Sequence, residues 1–333
     1  MHDPEHFKAA WWLRNAHAQT LWASLCRFTP RPTYHRQRLE LADGDFLDID
    51  WAQPPQSPAS TLVLILHGLE GSSNSSYARG LVQAMQRRKM QCLVMNFRGC
   101  SGEANRLQRS YHSGESGDLD QVVRWLRHHY PSRRIAVVGF SLGGNVLLKW
   151  LGEQSRDALV DAAAAACVPM QLAVCADRME QGFSRVYLWR LVRSLRDKIK
   201  RKFMHRPGSP LDLARVAKCR GFWAFDEHVT APLHGFSSAA DYYQRCSSRQ
   251  YLCDIARPTL LLHAADDPFM TYEVLPDSCE LSSSVTLQVS ENGGHVGFVE
   301  GVGVFGLLPN YWLDERISAF IAARTQSVTS RPC

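Results

Sequence analysis

Three short runs that are apolar throughout, Leu62–Leu66, Cys92–Met95 and Ile135–Val138, constrain the fold of this chain more than any other feature. A strand with one face in water alternates apolar and polar residues, so a run without alternation must be covered on both faces, as parallel strands are. Helical patterns follow the runs, at Tyr77–Arg88, Leu119–His129 and Leu142–Glu153. Strand and helix alternating in this way imply right-handed crossovers and a mostly parallel, doubly wound α/β sheet. Upstream, Arg38–Leu41, Asp43-Gly44 and Phe46–Trp51 read as an N-terminal β-hairpin ended by Pro54, Pro55 and Pro58. Downstream, Thr259–His263 and Val285–Val289 read as further strands and Tyr311–Ala323 as a closing helix. Between Pro169 and Arg257 the rhythm stops, and Leu188, Leu191, Val192, Leu195 and Ile199 recur at helical spacing, which predicts a helical cap inserted over the sheet. The expected organisation is an N-terminal helical extension over 1–35, an α/β core over 36–168 and 258–323, a helical cap over 169–257 and a flexible tail over 324–333.

A length of 333 residues suits one such domain with an excursion as well as two domains. Hydrophobic residues at 45% and charged ones at 21% exclude disorder, collagen and coiled coil. No apolar run approaches the roughly 18 residues of a membrane span; Leu62–Leu66 is cut by His67, and Ala162–Ala166 is short and weakly apolar. The first ten residues lack the cationic start and apolar stretch of a signal peptide, so export is not expected. Ten scattered cysteines, without CxxC pairs or zinc spacing, read as reduced thiols of a cytoplasmic protein. Residues 185–206 hold nine Lys or Arg against Asp197 alone, more positive than the whole chain's net +6. The remainder is near neutral, which argues against nucleic-acid binding and for a local basic face.

Chemistry enters at Gly139-Phe140-Ser141-Leu142-Gly143, at the end of the third run and just before a helical pattern. Gly-x-Ser-x-Gly alone is a weak signal, and its place between a buried strand and a helix gives it weight. Such a turn holds the serine in a strained conformation with glycines on either side, and presents Oγ at the carboxyl edge of the sheet, where open α/β folds bind ligands. The bland alternative is a serine that caps the helix. A serine hydroxyl needs a base, and histidine suits the task. His295 lies in Glu291-Asn292-Gly293-Gly294-His295-Val296-Gly297, a glycine-rich loop after the last predicted strand and so at the same edge. His128 and His129 end a helix and read as solvated, His263 ends a strand and reads as buried, and His67 is the next base to consider. Asp266 and Asp267 follow the strand Thr259–His263; Asp267 is preferred as the group that orients the imidazole, with Asp266 as its rival and helix capping as the plain role of either. The order Ser141, Asp267, His295 is that of α/β-hydrolases. Backbone N–H groups of Leu142 and of Leu69, in the loop His67-Gly68-Leu69-Glu70-Gly71-Ser72, are the expected oxyanion donors. That loop lacks the Lys-Ser/Thr of a P-loop, and neither His-Glu-x-x-His nor Gly-x-Gly-x-x-Gly occurs, so no metal or other cofactor is expected.

Several stretches together carry a family resemblance: Trp11-Trp12-Leu13-Arg14-Asn15-Ala16-His17-Ala18-Gln19-Thr20, the His67–Ser72 loop, Asn96-Phe97-Arg98-Gly99-Cys100-Ser101-Gly102, Gly139–Asn145, His263–Phe269 and Gly293–Phe298. On them the chain resembles the YheT-like and EMB8-like α/β-hydrolases, relatives of the abhydrolase 1/2/3 proteins. The resemblance implies an α/β-hydrolase fold, puts the family's Ser, Asp and His on Ser141, Asp267 and His295, and implies action on acyl esters, with glycerolipid hydrolysis or acyl transfer among relatives.

The expected function is therefore a serine hydrolase for small or lipid-like carboxylic esters of medium or longer acyl chains, acting through an acyl-enzyme. An alcohol acyltransferase on the same three residues and a noncatalytic ligand binder are the alternatives. Expected partners are the ester substrate and, through 185–206, an anionic membrane surface met peripherally; otherwise the apolar face of that helix packs over the active site and its basic face is merely solvated.

Overall fold

The computed structural model describes residues 6–53, 61–204, 206 and 208–326. Its main sheet contains β1 (His35–Glu40), β2 (Phe46–Trp51), β3 (Leu62–Leu66), β4 (Gln91–Asn96), β5 (Ile135–Phe140), β6 (Ala162–Ala166), β7 (Thr259–Ala264) and β8 (Val285–Ser290). In space they lie in the order β1-β2-β4-β3-β5-β6-β7-β8. The β1–β2 hairpin is antiparallel and meets β4 antiparallel, while β4, β3, β5, β6, β7 and β8 run parallel to one another. This is the mostly parallel sheet that the apolar runs predict, joined by the N-terminal hairpin expected from the alternation around Asp43-Gly44. The prolines expected to end the hairpin, Pro54, Pro55 and Pro58, lie outside the described residues.

Helices α1 (Ala16–Leu25), α2 (Ser76–Arg87), α3 (Ser116–His129) and α4 (Leu142–Gln154) precede or connect these strands. Their covering explains the unbroken apolar runs: every residue of β3 and β5 is buried. The strand β6 is not among the strands expected from the sequence. Five alanines favour helix by intrinsic propensity, yet here they form a fully buried strand between β5 and β7. Their small side chains let α4 and the closing helix both pack on this strand. A small second sheet, also unforeseen, pairs Val299–Val302 with Leu308–Tyr311.

Between β6 and β7 the chain forms α5 (Leu172–Met179), α6 (Ser184–Phe203), α7 (Leu213–Lys218), α8 (Phe222–Phe225), a π-helical turn (Asp226–Thr230), α9 (Ala231–His234) and α10 (Ala239–Cys246). Along α6, Leu188, Val192, Leu195, Ile199 and Phe203 are buried, as their spacing predicts. Its basic residues do not all lie on the outward face that both the membrane-contact and the solvated readings require. Lys202 is buried, with Nζ donating to Asn105 Oδ1 at 2.7 Å and to the Arg109 carbonyl at 2.5 Å, and burial together with the Arg206 charge pushes its pKa down to about 7. Arg196 donates to the Ala217 and Cys219 carbonyls, and Lys198 pairs with Glu70 at 2.6 Å. Arg185, Arg190, Arg193, Lys200 and Arg201 remain outward, beside exposed Val186, Trp189 and Met204. The closing helix α11 (Trp312–Thr325) runs two residues into the segment expected to be a flexible tail, and 327–333 lie outside the described residues. Among the described residues no helix is long and apolar enough to cross a membrane.

Candidate active site

Ser141 stands between β5 and α4 with φ 50° and ψ −120°, a left-handed conformation that costs a side-chain-bearing residue free energy. Its N–H donates to the Ala166 carbonyl at 2.9 Å, which pins the turn to β6. Close approach explains the neighbouring glycines. A Cβ on Gly143 would lie 2.6 Å from the His67 carbonyl oxygen, and one on Gly139 would collide with the Gly143 backbone.

The structure brings the three expected side chains together. His295 Nε2 lies 3.0 Å from Ser141 Oγ, and Nδ1 lies 2.8 Å from Asp267 Oδ2. Asp267 is buried, and its other oxygen accepts from the Phe269 N–H at 2.8 Å, which fixes the carboxylate. Asp266 faces elsewhere, accepting from the Gly294 N–H at 2.9 Å. The loop after β3 packs directly on the serine, because a Cβ on Gly68 would stand 3.3 Å from Ser141 Cβ. Within it the Gly68 N–H donates to Tyr77 Oη and the Glu70 N–H to Tyr111 Oη, at 2.8 and 2.9 Å. The Leu69 N–H between them has no acceptor among the described residues. The Leu142 N–H lies in the first turn of α4, where no intrahelical acceptor reaches it.

Several supports carried no clear sign in the sequence. Phe269 stacks on the His295 ring, with centroids 4.0 Å apart and planes 7° apart. Thr20 Oγ1, on α1, accepts from the His295 N–H at 2.9 Å. Gln19 is fully buried beside it, donating to the Leu13 and Val299 carbonyls and accepting from the Val299 N–H. The stretch from Trp11 to Thr20 stood out only through the family resemblance; these contacts give its physical reason.

Next to Leu69, Glu70 is held by three groups. Tyr111 donates to it at 2.8 Å, Ser194 at 2.6 Å and Lys198 at 2.6 Å, the last two from α6. Burial opposes its charge, and Lys198 with the hydroxyls outweighs burial, holding the carboxyl below its ordinary pKa. A cavity of about 130 Å³ opens over Ser141 and His295, walled by Leu69 and Leu142 on the sheet side and by Leu191, Leu195 and Phe222 from the helical segment. Asp226 also lines it, and burial pushes its carboxyl up to about 6 despite hydrogen bonds from Thr230 and Tyr243.

Among the described residues, two groups of side chains have the composition of metal ligands. Cys167, Asp267 and His295 lie close together, but both ring nitrogens of the histidine are engaged as described, and the Cys167 sulfur accepts the Val296 N–H at 3.2 Å. His112, Glu115 and His234 form the second group, in which the Arg109 guanidinium already holds Glu115. A cation there would have to displace that arginine.

This sheet, with a serine at the sharp turn after β5, places the molecule in a known class: the chain belongs to the α/β-hydrolase fold family, whose model matches residues 61–302. A relative within the class is the candidate esterase YheT of Escherichia coli (strain K12), 45% identical over 305 residues that cover 91% of this chain and 89% of that protein. Phospholipase ABHD3 of Mus musculus is 29% identical over 299 residues, 87% of this chain and 72% of its own length. Among solved structures, the Pyrococcus furiosus esterase Pf2001 superposes with a TM-score of 0.58 at 19% identity, over 88% of this chain and 91% of that one. The resemblance to the YheT-like family stated from the motifs is thereby borne out.

Proposed function

We propose that the protein is a serine hydrolase that cleaves carboxylic esters through an acyl-enzyme. The observation that carries this reading is the relay from Asp267 through His295 to Ser141, with hydrogen-bond distances of 2.8 and 3.0 Å, at a strained strand–helix turn beside a cavity. Ser141 Oγ attacks the ester carbonyl while His295 Nε2 takes its proton. Asp267 holds the imidazole by Nδ1 and stabilises the cation that forms. The negative oxygen of the tetrahedral intermediate is met by the N–H groups of Leu142 and Leu69. On collapse the ester C–O bond breaks, His295 gives its proton to the departing alcohol, and the acyl group stays on Ser141. Water then enters, gives a proton to His295, and releases the acid by the reverse sequence.

Residues 169–257 act in this reading as a cap, and the acyl or alcohol arm of the ester lies beneath it. Apolar walls suit a hydrocarbon arm, and the space matches the benzene-sized dry cavity known from core engineering. The esterase and phospholipase names of the two relatives agree with an ester substrate.

Labelling with a fluorophosphonate probe tests the reading directly. The wild type should become covalently modified, and Ser141→Ala should fold yet take up no probe. A wild type that stays unlabelled, or a variant that labels as well, would sink the proposal.

A further inference from the structure

Asp226 has no part in the ester chemistry above, yet it lies in the same cavity as Ser141 and His295. It stands in the π-helical turn between α8 and α9, a local distortion of a kind that recurs at functional sites. The residue is enclosed by protein and still keeps accessible surface, because it lines the cavity. Its carboxylate accepts from Thr230 Oγ1 at 2.5 Å and from Tyr243 Oη at 2.7 Å. Both donors are neutral, and no Lys, Arg or His among the described residues forms an ion pair with it. Two of the roughly four lone-pair positions of a carboxylate remain for a ligand. An enclosed carboxylate without a cation is unfavourable, so a cationic ligand gains here what the protein itself does not supply.

The surrounding wall says which kind of cation. Phe222 and Phe225 precede Asp226 on α8, and Tyr242 and Tyr243 face the same cavity from α10. Aromatic faces attract a cation through the ring quadrupole, most strongly when water is excluded. A metal ion or a primary ammonium would arrive with tightly held water that such a wall cannot replace. An alkylated ammonium loses little hydration and presents methyl groups that pack on the rings.

We propose that Asp226 and these four aromatic residues form a subsite for an alkylated ammonium group carried on one arm of the ester substrate. The assignment of that group to a substrate rests on the serine-hydrolase reading; the binding of the cation does not.

Calorimetric titration with choline and with its neutral isostere 3,3-dimethylbutan-1-ol tests the subsite without turnover. The wild type should bind choline at least tenfold more tightly, and Asp226→Asn should bind the two alike. Equal binding by the wild type would overturn the subsite. If Asp226→Asn does not fold, Phe222→Leu replaces it, with a severalfold loss of choline affinity expected and an unchanged one counting against the aromatic wall. Placement on the substrate is read from matched esters. A p-nitrophenyl ester of 4-(trimethylammonio)butanoate against 5,5-dimethylhexanoate probes the acyl arm, and butyrylcholine against 3,3-dimethylbutyl butyrate probes the alcohol arm. A tenfold preference in kcat/KM for the cation in one pair supports the proposal and identifies the arm; no preference in either removes the group from the substrate. Choline discrimination by a protein that resists fluorophosphonate would keep the subsite and reject the hydrolase, and labelling without discrimination would do the reverse.

Discussion

His67 and His295 are the same side chain set to different tasks by what meets their ring nitrogens. His67 is fully buried; its Nδ1–H donates to the Gly68 carbonyl at 2.7 Å, and Nε2 accepts from the Phe97 N–H at 3.2 Å. Burial pushes its pKa down to about 4, so it stays neutral and braces the loop that holds Leu69. A base depressed on folding is protonated first in the unfolded chain, so its contribution to stability is present above about pH 6.5 and is lost as pH falls toward about 4. The loss is on the order of 3 kcal/mol. Urea unfolding of the wild type and of His67→Gln at pH 7 and pH 4.5 should show the steeper decline in the wild type; parallel declines would refute it. Among the carboxylates, Asp267→Asn should lower ester turnover about ten-thousandfold, the cost of misorienting the imidazole, whereas Asp266→Asn should cost less than about tenfold. Rates of a soluble ester settle the pair, and a reversed order would transfer the role. The sequence placed both aspartates at the right edge. It could not tell which one faces inward, because that depends on the single turn of backbone in which the Phe269 N–H fixes the Asp267 carboxylate.

At the scale of elements, α6 ties together the two loops that the proposed chemistry uses. Near its start Ser184 donates to the Pro268 carbonyl at 2.5 Å, and further along Ser194 and Lys198 hold Glu70, next to Leu69. Lys198→Met should leave the Glu70 charge enclosed and unpaired, destabilising the fold by about 3 to 5 kcal/mol. Adding Glu70→Gln should recover a large part of that loss in chemical denaturation, and no recovery would mean that the pair is not the cause. The helical period of α6 was legible in its leucines, but the fate of its cations was not. Lysine stems are long enough to run along an apolar face and place their charge on either side of it, so Lys198 and Lys202 point inward from a helix whose composition reads as solvated. For membrane contact this changes which residues count: the outward set is Arg185, Arg190, Arg193, Lys200 and Arg201, whereas Arg196 is bonded to backbone carbonyls. The proposal of a peripheral site predicts binding to anionic vesicles that weakens as salt rises, and its loss when those five become Gln. Sedimentation with vesicles at low salt would end the proposal if the wild type stayed in solution.

Over the whole molecule, the parallel sheet was legible because unbroken apolar runs have few other uses, and the serine turn because it lies at the end of one. The strand β6 was missed because alanine favours helix by intrinsic propensity and a run of five is only weakly apolar. The α1 contacts were missed because they connect residues at opposite ends of the chain, which no local pattern records. Gln19→Leu should strand the Val299 N–H and the Leu13 carbonyl in the interior, while the Val299 carbonyl keeps the Ala10 N–H, at a cost on the order of 3 kcal/mol by denaturant unfolding. Thr20→Val should lower kcat with little change in KM, since it frees the His295 backbone and does not itself line the cavity; an unchanged kcat would make the contact merely structural. The same contacts have a consequence for synthesis. Thr20 and His295 are 275 positions apart, so at ribosomal speeds of about 5 to 20 residues per second, α1 waits roughly a quarter of a minute to a minute for its partner loop. An unfinished nascent chain therefore carries the serine but not the histidine. Under the proposed mechanism such a chain is chemically silent, and hydrolysis begins only after the His295 loop has left the ribosome and closed on α1.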